Sequence, residues 1–202
     1  MILYELYGTE DHELYKEVQI ANINRQYDFL RTIVAASLKS GRPFLSSQLL
    51  KALNFHAITC LHVNAGEYRP WEVTVGKHTP PQFWRVQAQM DDFINQVNRQ
   101  WELADPIVLA TFVLWRLNYI HPFINGNGRT ARAACYFVLC VKLGGLLSGN
   151  TTLPELLLRD RDAYCKALER VDASWHAGQL DLTPLFEIVA TLLNEQLETT
   201  QV

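Results

Sequence analysis

The sequence predicts an all-α protein, a helical bundle with one β-hairpin set against it. Three observations predict it. Most of the 202 residues carry apolar side chains at helical spacing. Two strongly apolar segments, 106–119 and 129–143, flank a short glycine-containing loop and read as paired buried helices. One stretch, 64–81, breaks the helical pattern with three prolines, two glycines and the alternation Trp71-Glu72-Val73-Thr74-Val75.

The elements follow in order. Residues 13–39 place Leu14, Val18, Ala21, Phe29, Ile33 and Ala36 near i, i+3, i+4 spacing, and Gly41 with Pro43 stops that helix. Ser46 or Ser47 caps a second helix through Leu49, Leu50, Leu53 and Ile58. The alternation at 71–75, with Gly76-Lys77 as its turn, predicts the hairpin; a lone hairpin is weakly stable and must lean on the helices. Helical period resumes over 82–100 with Val86, Met90, Phe93, Ile94 and Val97 on one face. Asp105 then reads as an N-cap with Pro106 at the first helical position. Gly144 and Gly145 end the 129–143 helix, and 154–170 and 182–198 are two further amphipathic helices. Residues 1–45 read as an N-terminal helical extension and 46–202 as the main domain, together one compact unit.

Composition narrows the function. Hydrophobic residues make up 49% and charged residues 19%, enough for a real core. A net charge of -3 without a basic stripe argues against a nucleic-acid partner. The longest apolar runs fall short of the roughly 20 residues that span a bilayer, and the N-terminus lacks a signal-peptide pattern, so the expectation is a cytoplasmic protein with no membrane partner. The four cysteines form no CxxC pair and read as reduced thiols. His56, His62, His78 and His176 have no metal-ligand spacing.

Chemistry concentrates in His121-Pro-Phe-Ile-Asn125-Gly-Asn-Gly-Arg129-Thr-Ala-Arg132. Gly126 and Gly128 let the backbone approach a ligand closely, just before a helix whose first N–H groups lack internal partners; that combination favours an anion. Arg129 and Arg132 lie three apart and suit a polyphosphate, and Asn127 adds a neutral donor. His121 enters the loop with a side chain suited to general-base work. The same residues fit a G-x-G-x-x-A dinucleotide fingerprint, but the segment before them reads as helix rather than strand. The bland alternative is a glycine turn joining two core helices.

This stretch resembles the signature of the Fic/Doc family, H-P-F-x-[D/E]-G-N-G-R-x-x-R, at eight of nine specified positions. Gly66-Glu67-Tyr68-Arg69 with Val73, Val75 and Pro80-Pro81 resembles the family's flap, and Arg161-Asp162-Ala163-Tyr164 with Ala167-Leu168 resembles its downstream helix. The resemblance implies protein AMPylation: transfer of AMP from ATP to a Ser, Thr or Tyr hydroxyl of a target protein. His121 would be the base, Gly126, Asn127 and Gly128 would hold the α- and β-phosphates, Arg129 would neutralise the β-phosphate region and Arg132 the γ-phosphate. The flap residues Tyr68, Arg69, Val73 and Val75 would dock an extended target segment by strand addition.

Asn125 departs from the pattern, whose Asp or Glu binds Mg²⁺ or Mn²⁺; an amide oxygen is a weaker ligand. Three outcomes stay open: a slower AMP transferase, a Fic-type enzyme with another nucleotide donor, and a nucleotide-binding protein without turnover. A toxin-like phosphotransferase is disfavoured, because that variant carries Lys where Gly128 stands. The family's self-inhibitory pattern [S/T]-x-x-x-E-[G/N] is absent from the N-terminal region; Thr191 to Gln196 fits except at the last place, making Glu195 a candidate to pair with Arg132. Inhibition by a small antitoxin and assembly into an oligomer are left open.

Overall fold

A computed structural model describes residues 1–41, 43–76 and 78–199. Nine α-helices make up its regular structure among the described residues: α1 (Leu3–Tyr7), α2 (Glu13–Ser40), α3 (Ser47–Ile58), α4 (Val86–Gln100), α5 (Pro106–Ile120), α6 (Asn127–Lys142), α7 (Leu153–Arg159), α8 (Arg161–His176) and α9 (Thr183–Glu198), with a 3₁₀ turn at Phe83–Arg85. The local chemistry explains most of the boundaries. Asp105 accepts from the Ile107 and Val108 amides with Pro106 behind it, and Gly41 closes α2 in a left-handed conformation. The Ser46 side chain accepts from the Leu49 amide and starts α3.

Helices α5 and α6 form the centre. Leu109, Val113, Leu114, Leu117 and Ile120 of α5 meet Ala134, Phe137, Val138 and Val141 of α6 in one core. Helix α2 contributes Leu30 and Val34 to that core, and α9 contributes Leu185, Val189 and Leu193. A smaller cluster of Leu3, Tyr15 and Leu61 fastens α1 to the start of α2. Burying both faces of α5 and α6 makes the loop between them, 121–126, a short bridge between two rigid supports. That placement fits a site whose geometry must hold within fractions of an ångström.

Two sequence expectations are corrected. The β-hairpin does not form: residues 71–74 carry no strand, and the segment shows one isolated antiparallel bridge, Val75 to His78. Pro70, Pro80 and Pro81 remove three ladder donors, and the flap's hydrogen bonds go to the helical body instead, from the Arg69 amide to Pro122 O and from the His78 ring to Tyr119 O. Lys77 of the expected turn lies outside the described residues. The single helix expected over 154–170 is two, because Asp160 breaks the chain and caps α8 through the Ala163 amide.

Candidate active site

The glycine loop is built from both sides. Helix α5 ends at His121 with φ 51 and ψ 58, a left-handed conformation unusual for a side chain of this size. Helix α6 begins after Gly126 at φ 74 with no side chain capping its first amides. A β-carbon at Gly126 would meet Ile58 Cγ2 at 2.6 Å and Asn54 Nδ2 at 3.1 Å, so only glycine fits there. Phe123 is fully buried beneath the loop. The uncapped end of α6 therefore stays open to an anion, with the helix dipole favouring negative charge.

A cavity of about 350 Å³ lies at this end, lined by His121, Gly128, Arg132, Tyr164, Val75 and His78 among others. The structure thus brings together the imidazole, the second glycine, the second arginine and part of the flap. The Arg132 guanidinium lies over Gly128, 3.1 Å from where a β-carbon there would stand. Burial pulls Arg132 below its usual pKa, with the Tyr164 hydroxyl beside it pulling the other way. No carboxylate pairs with Arg132 among the described residues. A desolvated cation of this kind attracts an anionic ligand.

His121 is set for base chemistry. Its Nδ1 lies 3.3 Å from the Asn118 carbonyl, which can only accept, so Nδ1 carries the proton and Nε2 keeps its lone pair. Burial, and the nearby positive charges of His78 and Arg69, push its pKa down to about 4, which leaves the ring neutral at physiological pH.

Other predicted residues take different places. Asn127, expected to hold phosphate, braces the loop: its Oδ1 accepts from the Phe123 amide at 2.9 Å and its Nδ2 donates to Phe123 O at 2.8 Å. Arg129 donates to Ala57 O and Asn125 Oδ1, and lines a second cavity of about 360 Å³ between α2, α6 and α7, which Arg132 also borders. Arg69, expected to dock a target, is 2% exposed and acts as a staple. Its Nε donates to His121 O at 2.8 Å, Nη1 to Trp71 O and Glu72, and Nη2 to Pro81 O. Tyr68 is half-buried, its ring tilted against Phe123 at 5.6 Å between centroids. Val73 and Val75 are half-buried, and Val75 reaches the His121 cavity. Glu195 does not approach Arg132: it pairs with Arg159 at 2.7 Å on the surface.

The expected dication also meets a misfit. Asn125 Oδ1 is taken by Arg129, and no group of three His, Cys, Asp or Glu side chains converges among the described residues. The residues present do not fit a resident Mg²⁺ or Mn²⁺, and no step below depends on one.

Sequence reasoning missed three supports. His78 is clamped between Tyr119 O at 2.8 Å and Asp172 Oδ2 at 3.3 Å, and Asp172 is itself held by Trp115 Nε1 at 2.8 Å. Asn54, fully buried on α3, donates to Asn125 O and accepts from the Gly66 amide, tying motif loop to flap. An asparagine on the apolar face of a core helix was the available signal for it. Glu10 reaches the motif loop from the N-terminal segment, with no sequence signal at all.

Known proteins resemble this chain in sequence and in fold. Residues 44–139 match the model of the Fic/DOC family. The chain carries a Fic/DOC domain. The protein adenylyltransferase Fic of Nematostella vectensis is 32% identical over 131 residues, covering 63% of this chain and 27% of that protein. The protein adenylyltransferase fic-1 of Caenorhabditis elegans is 41% identical over 71 residues, covering 35% and 14%. The chain thus spans under a third of either curated relative. In fold, this Fic domain resembles a Fic-domain signaling protein from Bacteroides thetaiotaomicron, with a TM-score of 0.73 at 18% identity over 98% of this chain and 76% of that one. It likewise resembles Fic-1 from C. elegans, with a TM-score of 0.73 at 21% identity over 97% and 55%. No helix among the described residues is long and apolar enough to cross a membrane.

Proposed function

We propose that this Fic domain transfers AMP from ATP to a Ser, Thr or Tyr hydroxyl of a target protein, with His121 as general base. The observation that carries the reading is the neutral His121 ring, its Nε2 lone pair free, in one cavity with Gly128 and Arg132 at the open start of α6. Family relatives named protein adenylyltransferases support the donor and the reaction class.

The polyphosphate binds at the α6 amides and the Arg132 guanidinium, which oppose its charge. The target hydroxyl approaches along the flap beside Val75, and His121 Nε2 takes its proton. The hydroxyl oxygen forms a bond to the α-phosphorus as the bond to the β-phosphate bridging oxygen breaks. Pyrophosphate leaves with the bonding pair and target-O–AMP remains. A pKa near 4 makes a weak base in the empty cavity, but an anionic phosphate nearby favours the imidazolium and strengthens it when substrate is bound. Asn127 and Arg69 serve this step indirectly, by fixing the loop and the His121 carbonyl.

The test incubates the protein with ATP labelled at the α-phosphate and host lysate, with and without Mg²⁺. Label on a protein band that disappears in His121→Ala, while that variant still melts cooperatively, supports the reading. Label that persists in His121→Ala, or label that never forms, removes it.

A further inference from the structure

Position 125 is the one specified motif position where this chain departs, and both ends of its amide are engaged. Asn125 Nδ2 donates to Glu10 Oε1 at 3.0 Å, and Asn125 Oδ1 accepts from Arg129 Nη2 at 2.9 Å. The amide cannot turn over. A guanidinium only donates, so the oxygen faces Arg129; a carboxylate only accepts, so the nitrogen faces Glu10. Glu10 stands in the turn before α2, and the same Oε1 lies 3.2 Å from His62 Nε2, which meets the Tyr15 hydroxyl at 2.9 Å. Arg129 continues the chain of contacts to Ala57 O at 2.8 Å, against α3.

An aspartate at 125 would replace that nitrogen with an oxygen, leaving two carboxyl groups about 3 Å apart that repel each other when both are charged. Asn125 and Glu10 therefore form a matched pair. We infer that Glu10 brings to the catalytic loop the negative charge that position 125 lacks, and that it is a positioning residue acting through Asn125. The carboxylate has moved to a segment 115 residues away in sequence, and the amide is the adaptor that joins it to Arg129. The segment before α2 thereby becomes part of the loop's support. The family acid at 125 would be harmful here rather than restorative.

The test is a cycle of four proteins: wild type, Glu10→Gln, Asn125→Asp and the double variant. In the double variant the hydrogen bond reverses: the amide introduced at position 10 donates to the carboxylate introduced at position 125, and the charge moves with the carboxylate. Asn125→Asp alone should melt about 3–6 °C below wild type and adding Glu10→Gln should restore the melt to within about 1 °C, using the usual Tm response of a domain this size. Asn125→Asp melting at or above wild type, or a double variant worse than either single, overturns the inference. ATP affinity by calorimetry gives a second readout, which rests on the nucleotide reading proposed above. Asn125→Asp should weaken it about tenfold and the double variant should recover it, a coupling near 1.4 kcal/mol. Equal ATP affinity in all four overturns the positioning role. A wild type that takes up no ATP sinks the nucleotide reading instead and leaves the melting cycle to decide the Glu10 assignment.

Discussion

Replacing Arg69 with methionine should loosen the active site more than any surface change. The guanidinium is 2% exposed and satisfies three backbone carbonyls, those of His121, Trp71 and Pro81, besides pairing with Glu72. Methionine fills similar space but donates nothing. Each carbonyl left buried without a donor costs about 1–3 kcal/mol, partly offset because the buried charge is also gone; the net loss is about 3–5 kcal/mol. For a domain of this length that corresponds to a fall in melting temperature of roughly 6–20 °C. Arg69→Lys should fall between, since one ammonium cannot reach all three acceptors from a single position. Thermal melts followed by circular dichroism measure the fall. The proposed AMP transfer, assayed well below the melt, should drop further than stability explains, because the His121 carbonyl loses its anchor. A variant melting within about 2 °C of wild type would refute the staple, since three orphaned carbonyls could not be so cheap.

Three other perturbations separate the parts of the site. The folded-state pKa of His121, about 4, lies below its ordinary 6.5, so the unfolded chain binds more protons in that interval; stability should fall as pH drops from 6.5 towards 4, and His121→Gln should flatten that fall in pH-dependent melts. His78 behaves oppositely. Its hydrogen bond to Asp172 raises its pKa, so its contribution is complete below 6.5 and is lost as pH rises through the folded value; His78→Gln should remove that alkaline decline and leave the flap less protected in hydrogen exchange. Gly126→Ala combines a strained backbone at φ 74 with a 2.6 Å clash on Ile58, about 2–5 kcal/mol together, and should abolish ATP binding before it abolishes the fold.

Local signals carried the fold a long way. Asp105-Pro106, Ser46 and Gly41 mark helix ends by satisfying specific backbone groups, and each does so in the structure. Helix α5 was legible as buried because its residues are apolar nearly all round, and α6 through its apolar run Ala133–Val141. The alternation at 71–75 misled, because period two describes a strand only when a partner ladder exists; here the donors turn to the helices. The direction of Arg69 was not legible either, since a charged residue beside a flap reads as exposed until its acceptors are known. Glu195 fitted an inhibitory pattern at all but its last place, and its partner in the structure is Arg159. Glu10 and Asn125 pair across most of the chain, and no spacing rule connects residues brought together only by packing.

The central claim is that the open start of α6, with Arg132 above it, grips the phosphates of a nucleotide. Isothermal titration of ATP into wild type and into Arg132→Gln tests it most directly. The account predicts saturable binding by wild type, weakened at least tenfold in the variant, with both proteins melting alike. Binding that is absent from wild type, or equal in the two proteins, would contradict it.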